Sequence, residues 1–94
     1  MNRKTLPASI ARVVRALKAD LRAKVDVERV EGEDPWPDRF RIAVVSQRFG
    51  KMPHLKRQDL LWGIVDRELS REESIAISSI LAFSPNELQR AVKA

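Results

Sequence analysis

Residues 39–49 read Arg39-Phe40-Arg41-Ile42-Ala43-Val44-Val45-Ser46-Gln47-Arg48-Phe49, and this run decides the fold. From Arg39 to Gln47 it predicts a strand. Phe40, Ile42 and Val44 fall on one face and Arg39, Arg41, Ala43 and Val45 on the other, because successive side chains of an extended chain point to opposite sides. The first face is core. The second is half basic and is left to solvent or to a ligand. Upstream, Val25 and Val27 alternate with charged residues as far as Glu31, which predicts a shorter strand. Gly32 to Asp38 (Gly-Glu-Asp-Pro-Trp-Pro-Asp) connects the two. Its two prolines block helix and sheet alike. Trp36, between them, is read as a cap over the core edge in preference to a ligand platform. The pair forms a hairpin with a long loop.

Working outward, Leu6, Ile10, Val13, Val14, Leu17 and Leu21 follow the helical period and predict a first helix with one apolar stripe. Pro7 suits its first turn, where a missing N–H costs nothing. Arg12, Arg15, Lys18 and Arg22 lie opposite the stripe and form a basic face. Beyond the central strand, Arg48 to Lys56 reads as a loop with Gly50 and Pro53. A second helix is expected over 57–69, burying Leu60, Leu61, Ile64, Val65 and Leu69, with Trp62 at the edge of that face. Ser70 and Glu73 have capping-box spacing and predict a helical turn. Residues 74–83 then alternate as a third strand. Ser84-Pro85-Asn86-Glu87 is a strong helix start, with serine at the N-cap, proline at the first helical position and glutamate at the third. The last helix is expected to end near Val92. The order predicts an α+β fold: a three-stranded mixed sheet with helices on one face.

The chain has 94 residues, enough for a single domain spanning residues 1–94 with one modest core. It contains no cysteine. Disulfides and thiolate metal sites are thereby excluded, which fits a cytoplasmic protein. No segment has the roughly 18 apolar residues of a membrane span, and residues 1–10 lack the apolar stretch of a secretory signal. The formal net charge is +5. Residues 1–26 hold seven basic and two acidic side chains, and residues 39–58 hold six basic groups and no acidic one. Two such blocks on a small domain point to an anionic partner; solubility is the competing explanation.

The inventory speaks against an enzyme. His54, in the loop, is the sole histidine. There is no nucleophile–base–acid set and no metal-ligand pair at useful spacing. Phe49-Gly50-Lys51 lacks the two spaced glycines of a phosphate loop. No catalytic residue, metal site or cofactor is expected.

The run from Phe40 to Phe49 resembles the core of the BolA family. There an apolar strand ends in Val-Ser, two residues precede a Phe, and a Gly/Lys loop follows. An Arg-His-Arg helix start, an Ile-His-Ala strand and a Thr-Pro-Glu helix start come next. The spacing here is unbroken over residues 38–88. Arg57 stands at the first Arg, Ser84-Pro85 at Thr-Pro, and Glu87 at an acidic position beyond it. The departures are specific. Gln58 replaces the helix histidine, Asp59 the following Arg, and Ala76 the strand histidine. Gly50 precedes, and Lys51 occupies, the place of the family's loop glycine. The resemblance implies a fold like the class II KH domain, αββααβ with a further helix, and a non-enzymatic role. That role is either nucleic-acid binding in transcription or stress response, or service as an adaptor for a monothiol glutaredoxin. In the family those histidines ligate an iron–sulfur cluster shared with the glutaredoxin, and glutamine and alanine are unsuited to that.

Nucleic acid, DNA in the first instance, is the favoured partner. Arg48, Lys51, Lys56 and Arg57 are expected to contact phosphates, with Gly50 letting the backbone approach and Ser46 and Gln47 adding hydrogen bonds. Arg12, Arg15, Lys18 and Arg22 form a secondary basic face. The glutaredoxin alternative draws on Trp62 and Met52-Pro53 as interface anchors. A structural subunit that docks the basic helix on an acidic neighbour is a third possibility. A positive surface joining the first helix to the 48–57 loop favours nucleic acid; patches on opposite sides weaken it.

Overall fold

A computed structural model describes residues 5–93 of the chain. Helix α1 (Ala8–Leu21) leads into strand β1 (Lys24–Val30). Strand β2 (Arg39–Val45), a short 3-10 turn (Gln47–Phe49) and helix α2 (His54–Glu68) follow. One turn of helix, α3 (Arg71–Ser74), precedes strand β3 (Ile77–Phe83), and helix α4 (Pro85–Lys93) comes last. The strands lie in the order β1-β2-β3. The first pair is antiparallel and the second parallel, as a hairpin followed by a helical crossover requires. The expected α+β fold and mixed sheet are the ones observed.

The alternation of β2 organises the core. Phe40, Ile42 and Val44 are buried, and α1 packs Ile10, Val13, Leu17 and Leu21 into the same cluster. Leu61, Ile64, Val65 and Leu69 complete it from the region of α2. Each such side chain contributes about 1.5–3 kcal/mol by leaving water. The opposite sheet face has no such cover: Asp26, Glu28, Arg39 and Arg41 are exposed on it, with Ala43 and Val45 half-buried.

Three boundaries differ from expectation by more than one residue, and one loop residue is buried. β2 ends at Val45 and not Gln47, because Ser46 turns inward. Its hydroxyl donates to the Leu21 carbonyl at 2.9 Å and accepts from the Arg48 N–H. Phe49, expected in a loop, is fully buried in the core cluster. α2 starts at His54, three residues before the predicted Arg57. Residues 54–56 are all exposed, so the apolar period is silent there; Leu55 is 75% exposed. β3 starts at Ile77, since the capping box of Ser70 and Glu73 holds residues 71–74 in a helical turn. A register shift opposite Phe40 and Arg41 then brings Ile77 and Ile80 to the core together, which strict alternation does not allow. Trp36 is also corrected. It caps nothing: it is 72% exposed at the tip of the hairpin loop.

Candidate functional site

The segment joining β2 to α2 was expected to carry the main site, and it is built around one buried cation. Arg57 is 3% exposed. Its Nε donates to the Met52 carbonyl at 2.8 Å, and its Nη2 to the Phe49 carbonyl at 2.5 Å. Nη1 reaches the Ala82 carbonyl at 3.2 Å. Both terminal nitrogens grip Glu87 of α4, at 2.7 and 3.0 Å. The planar guanidinium suits such a forked arrangement, as a lysine ammonium would not. The hydrogen bonds from Arg57 hold the Glu87 pKa down at about 2, with the backbone N–H of Ser84 adding to the effect. Ser84 and Glu87 cap α4 reciprocally, through Ser84 N–H to Glu87 at 2.8 Å and Glu87 N–H to Ser84 Oγ at 3.2 Å. Arg57 therefore leaves the set of free cations. It fixes the loop from behind, tying it to the end of β3 and the start of α4.

The remaining cations of this segment and of the first turn of α2 face outward. Arg48, Lys51 and Lys56 are exposed, and none makes an ion pair among the described residues. The start of α2 lacks a side-chain cap and an acidic residue in its first turn, so its free N–H groups and partial positive charge add to the field of these cations. Ser46, expected to bond a ligand, is buried and committed to Leu21 and Arg48. Gln47 is exposed. Gly50 is exposed with an ordinary right-handed backbone. An added Cβ would meet only the Gln47 carbonyl, at 3.4 Å, so the backbone does not require glycine there.

The basic face of α1 divides. Arg12 turns toward α3, where it donates to Glu73 at 3.1 and 3.2 Å and to the Glu68 carbonyl at 3.2 Å. Arg15 and Lys18 stay exposed on one helix face, whereas Arg22, expected with them, is exposed one residue beyond the helix as its left-handed C-cap. The Ser46–Leu21 bond brings the end of α1 against the end of β2. Consequently Arg22, Lys24 and Arg48 line one groove of about 810 Å3. The structure thus joins Arg22 of the secondary face to Arg48 of the main one. Lys24, which the sequence reading left out, falls between them; its place at the first residue of β1, paired with Val45, puts it there.

Gln58 and Ala76 stand where the BolA family, which the sequence resembles, has histidines. Gln58 donates through Nε2 to the Ile80 carbonyl at 3.0 Å and accepts the Trp62 indole N–H at 3.1 Å. Both ends of its amide are occupied. Ala76 offers only a methyl group, and its backbone bonds to Glu73 and Phe40. These residues do not fit an iron–sulfur cluster. Among the described residues, no three His, Cys, Asp or Glu side chains gather as a metal site. Trp62 is half-buried against the core, at the edge position expected. No helix among the described residues is long and apolar enough to cross a membrane.

No family model matches the sequence, and no curated protein matches it. Solved structures do. The BolA domain of SufE1 from Arabidopsis thaliana superposes with a TM-score of 0.68 at 24% identity, over 88% of this chain and 99% of that one. BolA1 from Arabidopsis thaliana gives 0.65 at 20% identity, over 87% and 98%. A Bol-like protein from Babesia bovis gives 0.62 at 20% identity, over 94% and 96%. The chain has the BolA-like fold that its β2 run resembles.

Proposed function

We propose that this chain is a non-enzymatic nucleic-acid-binding protein, with DNA the first partner to test and regulation the role that follows. One observation carries the reading: Arg22, Lys24 and Arg48 line a single groove, with Lys51 in the following loop and Lys56 in the first turn of α2 both exposed and without an ion pair among the described residues. Charges spaced along an ordered loop and a helix face can track a phosphate backbone, neutralise it and release its counterions. The Arg57–Glu87 pair stiffens the loop beforehand, which lowers the entropy lost on binding. The test is anisotropy of labelled duplex DNA, single-stranded DNA and RNA. Binding is expected at low salt, with log K falling linearly against log salt. Replacing Lys51 and Lys56 by Gln together is expected to reduce that slope by about 2. An unchanged slope would remove these two residues from the interface.

A protein-adaptor role is the second reading. It is supported by Leu55, 75% exposed on the first turn of α2, and by the occurrence of the fold as a domain of SufE1. The test is co-expression with a monothiol glutaredoxin. With Gln58 and Ala76 at the ligand positions, any complex is expected to be colourless. Charge-transfer bands in the purified complex would contradict that.

A further inference from the structure

The hairpin loop opposite the groove is ordered, acidic and tipped by a bare indole. Residues 31–38 contain four acidic side chains and no basic one. Asp38 closes the loop, accepting the Gly32 N–H at 3.0 Å and the Arg29 guanidinium at 3.0 Å. The Gly32 bond first, and Arg29 second, lower the Asp38 pKa. Trp36 N–H bonds the Glu33 carbonyl at 2.6 Å. The chain crosses itself so tightly that a Cβ on Gly32 would lie 2.2 Å from the Trp36 carbonyl. Glu31, Glu33 and Asp34 are exposed and make no ion pair among the described residues. Trp36 is held out, 72% exposed. A large apolar side chain fixed in water by its own loop is a poor contribution to the fold of one chain and a good anchor for contact with another.

The groove has the complementary character. Leu21, Val45, Leu88 and Val92 give it apolar walls, and Val92 is 76% exposed. Arg22, Lys24 and Arg48 edge it, against the single acid Asp26. A phosphate backbone would use the cations but leave those walls wet. An indole flanked by carboxylates would use both. The two features cannot meet within one molecule. The loop joins Val30 to Arg39, and the groove lies at the Lys24–Val45 end of the same hairpin, roughly 20 Å away at about 3.3 Å per residue.

We propose that the acidic Trp36 loop of one chain docks in the cationic apolar groove of a second copy. Each copy then offers one loop and one groove, so the contact is head-to-tail and extends into short chains or closes into a ring. One indole buries roughly 150–250 Å2. With its flanking residues the contact stays below the size of a standard stable interface, so assembly is weak and concentration-dependent. Arg22 and Arg48 also serve the nucleic-acid surface, so an oligonucleotide is expected to compete with assembly.

The test is sedimentation velocity over a hundredfold range of protein concentration, with the indole N–H signals followed by NMR in the same series. The weight-average sedimentation coefficient is expected to rise with concentration and to fall back in about 0.5 M salt, where charge attraction is screened. The Trp36 indole signal should move with concentration, and the Trp62 signal should not. Trp36→Ala and the pair Lys24→Glu with Arg48→Glu should each remain monomeric with an unchanged fold by circular dichroism. Mixed together, these two variants retain one intact groove and one intact loop between them, and should give a heterodimer that grows no further. A wild-type chain that stays monomeric throughout would overturn the proposal. So would assembly unaffected by Trp36→Ala. If only an oligonucleotide shifts the Leu88 and Val92 methyl signals, the groove belongs to nucleic acid and the proposal is likewise overturned.

Discussion

Arg57 shows how one side chain can organise a surface without being part of it. Its guanidinium satisfies the carbonyls of Met52, Phe49 and Ala82 and the carboxylate of Glu87. Arg57→Met fills most of the volume and orphans these acceptors. It is expected to lose about 3 kcal/mol of stability in urea unfolding. Lys51→Met, on the exposed side of the same loop, should change stability by no more than about 0.5 kcal/mol. Equal effects would mean that Arg57 is not the anchor. Glu87 supplies the matching pH prediction. Its carboxyl titrates at about 2 in the fold and near 4.3 in an unfolded chain. The stabilisation it gives is therefore present above pH ~4.3 and is lost as pH falls through the folded value. A side-chain carbon titration by NMR should show no Glu87 transition between pH 7 and pH ~3.5. A midpoint near 4.3 would show the pair to be absent. The sequence marked Arg57 as special but gave it the wrong task. Its partners lie as far as 30 residues away and meet only when the sheet, α2 and α4 are assembled. Phe49 was different: a large apolar residue between Arg48 and Gly50 was a visible signal of burial, obscured by the loop composition around it.

At the scale of elements, periodicity was a reliable guide where one face is buried along the whole length. β2 and α1 were legible for that reason. α2 lost its first turn to the reading because Leu55 points to solvent, and β3 lost its start because a capping box and a register shift interrupt alternation. Two glycines separate the cost of conformation from that of space. Gly63 lies within α2, and an added Cβ there meets nothing within 4 Å. Gly63→Ala is expected to stabilise the protein by about 0.5–1 kcal/mol, raising the thermal midpoint. A destabilisation would show that α2 is not an ordinary helix at that point. Gly32→Ala must instead displace the Trp36 and Pro37 carbonyls. The hairpin tip should rearrange, seen as amide shifts confined to residues 29–40, while the core signals stay in place.

Across the whole molecule, charge and shape are distributed unevenly. The groove end of the hairpin carries Arg22, Lys24 and Arg48, and the loop end carries Glu31, Glu33 and Asp34. The sequence revealed both basic blocks but not their junction, which depends on Ser46 pinning the end of β2 to the end of α1. It also could not separate Arg12 and Arg57, which are paired internally, from Arg15, Lys18, Lys51 and Lys56, which are exposed. Composition counts charges; only the fold shows which remain available. The available ones are those proposed to bind a phosphate backbone. The most direct measurement is an amide-shift titration of the labelled chain with a short DNA duplex at low salt, repeated at raised salt. Phosphate-backbone binding predicts shifts concentrated at residues 15–24 and 47–56, weakening steeply as salt rises, with the Trp36 loop silent apart from release of any self-association. No shifts in those two segments at low salt would contradict it.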